Sequence, residues 1–172
     1  MKQARFNKIV ASFLVMGMAF SLVGCSDQES STNDSNKNIS TGLVKINPSK
    51  NLPNVKNYQK AKTHTAKIKV INQAFAENDI SSLAYLNKTK PTNLLNLILN
   101  ALVFQNYYVH YLTRSQSTDD ISNCISNCKK CSNNVKKILQ GISFKDTKNL
   151  QDYNALSTEV KRAINTANQY GY

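Results

Sequence analysis

The order of apolar and polar positions divides the chain into three stretches. Residues 9–24, IVASFLVMGMAFSLVG, form an uncharged apolar run behind a short amino-terminal segment bearing Lys2, Arg5 and Lys8. Residues 26–57 are polar, rich in Ser, Asn, Asp and Lys, with Pro48 and Pro53 and almost no aromatic residue. From Tyr58 onward, apolar residues recur at three- and four-residue steps, the repeat of a helix with one buried face. No alternating apolar run bounded by turn signals occurs, so no strand is expected.

Four helices are predicted in the last stretch. Tyr58 to about Asn78 places Ala61, Thr65, Ile68, Ile71 and Phe75 on one face, with lysines elsewhere. Residues 80–87 add a short turn before Lys88-Thr89-Lys90-Pro91 breaks the pattern, and Pro91 suits the start of the next helix because its φ is preset. Thr92 to about Leu112 is the most apolar segment after residue 25. Asn93, Asn96, Asn100, Asn106 and His110 keep one of its faces polar, which predicts a buried bundle helix rather than a membrane span. The third helix is capped by Ser117 or Thr118, with Asp119 and Asp120 in its first turn, Lys136 and Lys137 in its last, and Gly141 as the stop. Its apolar row, Cys124, Cys128, Cys131, Val135, Ile138 and Ile142, is flanked by Ile121, Ile125 and Leu139 and reads as a bundle seam. The fourth begins near Asn149 and presents Leu150, Tyr153, Leu156, Val160, Ala163 or Ile164, and Ala167. Short connections between them predict an all-α fold, a small antiparallel bundle of about four helices over residues 58–172.

Composition narrows the class. The chain has 172 residues, of which 41% are hydrophobic, with 5 Gly and no Trp, enough for one small core and too few for a doubly wound nucleotide fold or an eight-stranded α/β barrel. There are 22 Lys plus Arg against 10 Asp plus Glu. The acids Asp27, Glu29 and Asp34 come first and none follows until Glu77, while Lys37, Lys45, Lys50, Lys56, Lys60, Lys62, Lys67 and Lys69 intervene. Residues 25–57 are too polar to bury enough surface to offset their ordering entropy and read as a disordered basic stalk. Lys37, Lys45, Lys50 and Lys56 suit an anionic envelope surface. Nucleic acid is not expected as a partner, because the basic residues lack the interleaved aromatics of a single-strand platform.

The apolar run ends in Leu22-Val23-Gly24-Cys25. A basic start, an uncharged run of about 15 residues and small residues before a cysteine follow the export-signal pattern. The ending resembles the lipobox of bacterial lipoproteins. The resemblance covers about 25 residues and implies that residues 1–24 are a signal peptide, that the Cys25 thiol carries a diacylglycerol, and that cleavage makes Cys25 the first residue. Removing those 24 residues leaves 148 and lowers the net charge from +12 to +9. It also implies a bacterial cell-envelope protein held to the membrane by lipid on the extracytoplasmic side. In an organism with two membranes, Ser26 rather than Asp after the lipidated cysteine is similar to the outer-membrane pattern.

The mature segment offers few reactive groupings. Cys124-x3-Cys128-x2-Cys131 matches, in spacing alone, the cluster ligands of radical S-adenosylmethionine enzymes, which are far longer proteins that place these cysteines on a loop. On one helix the three thiols, with His110 or His64 as a further ligand, suit zinc or copper. The same row continues into Val135 and Ile138, so packing is the expected role of Cys124, Cys128 and Cys131, and no metal or other cofactor is expected. Tyr58, Tyr107, Tyr108, Tyr111 and Tyr153 are expected in or at the rim of the bundle, with a groove for an apolar ligand as the alternative. No nucleophile triad, paired carboxylates or phosphate loop is present, so no catalytic residue is assigned and no enzyme is expected. The leading expectation is a lipid-anchored envelope protein whose helical domain binds a protein partner or envelope component, in an immunity, exclusion or assembly-accessory role. The alternative is a ligand or metal carrier using the aromatic helix and the Cys124/Cys128/Cys131 row.

Overall fold

Caps and breakers in the sequence bound seven helices among residues 44–114 and 117–171, the residues that the computed structural model describes. They are α1 (Pro53–Lys60), α2 (His64–Ala76), α3 (Ile80–Thr89), α4 (Asn93–Thr113), α5 (Thr118–Gly141), α6 (Thr147–Asn154) and α7 (Thr158–Gln169). The fold is all-α. Two of the anticipated long helices are each divided, which accounts for most of the larger number.

The first division follows from local chemistry. Pro53 opens α1. Thr63 accepts a hydrogen bond from the Ala66 amide at 3.1 Å and starts α2 afresh. Ala61, expected on the buried face of one long helix, instead lies in the extended link after α1. In the same way Ser157 accepts from the Val160 amide at 3.3 Å and starts α7, separating it from α6.

The folded unit also begins earlier than residue 58. Val44 and Val55 are buried, as is the Asn54 amide, so the last part of the expected stalk belongs to the domain. The polar composition of residues 44–57 concealed this, because a few well-placed apolar side chains suffice when each fills a site in an existing core. Residues 1–43, with the expected signal peptide, Cys25 and Lys37, lie outside the described residues.

Helix α4 is the centre of the domain. Eleven of its 21 residues are buried, and it packs against α3, α5 and α7, while α5 also packs on α7. Thr92 caps it by accepting from the Leu95 amide at 3.1 Å, which puts Pro91 just outside the helix rather than in its first turn. Each large apolar side chain removed from water here contributes about 1.5–3 kcal/mol, so this one helix supplies a major share of the hydrophobic driving force. Among the described residues no helix is long and apolar enough to cross a membrane. On α7, Val160, Ala163, Ile164 and Ala167 are all buried at helical spacing.

The join between α2 and α3 is a closed helix end. Asn78 adopts φ 55°, the left-handed region that a short polar side chain tolerates better than a branched one. The Asp79 amide then bonds to the Ala74 carbonyl at 2.8 Å and the Asn78 amide to the Phe75 carbonyl at 3.0 Å, the paired bonds of a Schellman cap. Asp79 in turn caps α3 by accepting from the Ser82 amide at 2.9 Å.

Candidate functional site

The α4/α5 hairpin gathers the chemistry-bearing side chains. Helix α5 starts at its Ser117 cap, whose hydroxyl accepts from the Asp120 amide at 3.1 Å. This start puts Asp120 in the first turn, where the positive end of the helix favours a carboxylate. Cys124 lies four residues on, on the same face, one turn away. Across the hairpin, His110 near the end of α4 places Nε2 2.9 Å from Asp120 Oδ2. The Cys124 thiol points to the other carboxylate oxygen, Oδ1, at 3.9 Å. One ligand atom from each of His110, Asp120 and Cys124 thus lies within 4.8 Å of the other two. Cys124 is fully buried, whereas the His110 and Asp120 side chains are 20% and 31% exposed. The group has a buried base and a wet mouth.

Chemically this is a soft sulfur, an imidazole nitrogen and a carboxylate oxygen, the donor set of zinc and its neighbours. The expected grouping was different. Cys128 and Cys131 are buried with Cys124, yet they do not join His110. Burial, with Cys131 and Cys124 nearby, pushes the Cys128 thiol up to about 12. Burial also pushes Cys131 up to about 12, against a smaller opposing effect of Lys130. Both stay protonated near neutrality and act as apolar filling, as the seam pattern predicted. The ligand that sequence reasoning missed is Asp120. Its signal was present, since Asp120 and Cys124 are an i, i+4 pair, but a first-turn acid is equally explained by the helix dipole.

The other candidates separate cleanly. His64 is exposed and pairs with Asp152, joining α2 to α6 far along the chain from the cysteines. Tyr107 and Tyr108 are buried and Tyr58 nearly so. Phe104 stacks on Tyr108 with ring centres 5.3 Å apart, and Tyr170 meets both edge-on at 5.3 and 5.9 Å. These rings fill the core. A polar cleft of about 200 Å³ lies elsewhere, lined by Val44, Lys45, Asp79, Ile80 and the Asn78/Asn106 pair among others, and none of the five tyrosines borders it. Lys45, Lys50 and Lys56 are exposed. Leu150, expected on a buried face, is 43% exposed.

Lysines expected in the last turn of α5 act otherwise. The helix runs on to Gly141 with no basic residue in its last turn, and Lys136 Nζ instead donates to the Tyr170 carbonyl at 3.0 Å. No family model matches the chain, and no significantly similar curated protein or solved structure is found.

Proposed function

We propose that the protein is a lipid-anchored envelope protein whose helical domain binds a protein partner or envelope component near the membrane. The observation that carries this reading is the sequence Leu22-Val23-Gly24-Cys25 at the end of an uncharged run behind Lys2, Arg5 and Lys8. Two or three acyl chains on Cys25, at about 0.8 kcal/mol per buried methylene, hold a protein to a bilayer far more firmly than one.

The fold adds a length to this reading. With Val44 already packed in the domain, the covalent leash from Cys25 spans at most about 65 Å when fully drawn out. Lys45, Lys50 and Lys56 lie exposed at the domain end of that leash. Where they reach anionic lipid, each contributes about 1 kcal/mol. The domain therefore works close to the surface that holds it, and its partner is to be sought there.

Substituting Cys25→Ala tests the anchor. The variant should accumulate as an unlipidated, uncleaved precursor, detected by mass and by loss of acyl-chain labelling. A variant that is still cleaved after Gly24 and fractionates with membranes as the parent does would overturn the proposal.

A further inference from the structure

We infer that His110, Asp120 and Cys124 form a zinc-class metal site that clips the α4/α5 hairpin together and leaves one coordination position open to solvent. The inference is independent of the lipid anchor. It rests on three side chains from two helices whose ligand atoms all approach within 4.8 Å.

The three ligand atoms lie near the spacing of a small tetrahedral ion. Zinc bonds of about 2.0–2.1 Å to nitrogen, 2.0–2.2 Å to oxygen and 2.3 Å to sulfur imply ligand separations of about 3.3 Å for the nitrogen and oxygen pair and about 3.6 Å for the oxygen and sulfur pair. The observed separations are 2.9 Å from His110 Nε2 to Asp120 Oδ2 and 3.9 Å from Cys124 Sγ to Asp120 Oδ1. They run to different oxygens of one carboxylate, so binding needs that carboxylate to turn until one oxygen faces both neighbours, and needs the nitrogen and sulfur, within 4.8 Å of each other, to close by up to about 1.2 Å. The residual adjustment falls on His110 and Asp120, the two partly exposed members.

Charge also balances. A thiolate and a carboxylate offset a divalent cation, so the bound site is neutral over the buried sulfur, and neutrality removes the main cost of holding an ion at the edge of a core. At neutral pH the Cys124 thiol proton leaves to solvent as the sulfur and metal bond forms. The imidazole binds neutral through Nε2, the atom that now faces Asp120. The fourth position is filled by water from the exposed side, as in zinc sites with three protein ligands. Cys128 and Cys131 lie further along α5, and only the Cys124 sulfur comes within 4.8 Å of both His110 and Asp120.

The test is metal titration of the full chain carrying Cys25→Ala, so that only the three helical thiols remain, after stripping with a chelator. Zinc is expected to bind at one per chain with release of about one proton. Cobalt should give the intense near-ultraviolet absorption of a thiolate ligand. His110→Gln and Asp120→Asn should each weaken zinc binding by about tenfold or more, and Cys124→Ser should abolish the cobalt signature. Cys128→Ala with Cys131→Ala should retain binding. His110 is 20% exposed, so His110→Gln keeps the test open even where Cys124→Ser folds poorly. Undiminished affinity in His110→Gln, absence of stoichiometric binding, or loss of binding only on removing Cys128 and Cys131 would each overturn the assignment.

Discussion

Asparagine side chains carry much of the polar cohesion between these helices. The chain holds 23 of them, and several bridge elements distant in sequence. Asn54 on α1 donates to Glu77 at 2.7 Å and to Asp79 at 3.0 Å, pinning the α2/α3 corner. Asn78 and Asn106 exchange amide bonds at 3.1 and 2.7 Å. Asn134 donates to Asn100 at 3.0 Å between α5 and α4, and Asn72 both donates to the Ala155 carbonyl and accepts from the Ser157 amide. Three members of the polar row along α4, Asn100, Asn106 and His110, are therefore cross-helix connectors, where the sequence pattern alone suggested only a polar face. An amide can donate and accept at once without burying a charge, which suits contacts at the edge of a small core.

The seam thiols set a pH dependence at the same scale. Cys128 and Cys131 are raised from 9.0 to about 12. Below about pH 9 both are protonated in folded and unfolded chains, and their contribution to stability is fully present. Between 9 and 12 the unfolded chain loses those protons while the folded one keeps them, so stability falls as pH rises, by up to about 1.4 kcal/mol per pH unit for each thiol. Tyr58, Tyr108, Tyr153 and Tyr170 are raised as well, chiefly by burial, and act in the same direction. The urea midpoint should therefore drop steeply above pH 9. In Cys128→Ala/Cys131→Ala the tyrosines remain, and the drop should be shallower. An identical slope in parent and variant would show that these thiols ionise freely in the fold.

Among the elements, α6 stands apart. It contributes no buried residue. Its ties include the pairing of Asp152 with His64, the donation of Lys161 to the Asn154 carbonyl at 2.7 Å, and Tyr153, which rests partly buried against the core and meets Phe144 edge-on, ring centres 5.4 Å apart. An exposed pair of this kind contributes well under about 1 kcal/mol. Helix α6 should accordingly open without the rest, and amides of residues 150–154 should exchange with solvent much faster than those of α4 in a native-state hydrogen-exchange experiment. Equal protection of the two would mean that α6 unfolds only with the whole domain. The sequence made the strongly periodic elements plain, because Ile68, Ile71 and Phe75, the cysteine row, and Val160 through Ala167 each mark one face. It hid the breaks at residues 61–63 and 155–157, since Ala61 and Leu156 fit a continuing apolar row and only the capping hydroxyls of Thr63 and Ser157 mark the new starts. The His110, Asp120 and Cys124 grouping was legible in part. Which helix His110 would face depended on the hairpin geometry, which no single-helix spacing contains.

For the molecule as a whole, the early start of the folded unit decides how it can be cut. A chain beginning at residue 58 lacks the buried Val44, Asn54 and Val55 and most of α1. It also loses the hydrogen bond of the Asn47 amide to Ser81 at 2.9 Å. Two buried valines and a buried amide bound to two carboxylates together amount to several kcal/mol, about the margin by which small domains are stable. A chain beginning at residue 36 should melt cooperatively, and one beginning at residue 58 should melt markedly lower or lack a cooperative transition. Equal melting temperatures would return residues 44–57 to the stalk.

The closing of the core by α7 bears on the order in which the domain can fold. Helix α7 is made after α4 and α5, and the carbonyl of Tyr170 beyond it is held by Lys136 and by the Ser132 hydroxyl at 3.4 Å, with its ring against Phe104 and Tyr108. Until α7 emerges from the ribosome, α4 and α5 lack the surface on which they bury their shared flank. A nascent chain therefore keeps that flank uncovered until α7 has been made, although α4 can already pack on α3 and α5. In the exported protein proposed above, the order of the helices makes the closing of the core by α7 a late step of folding.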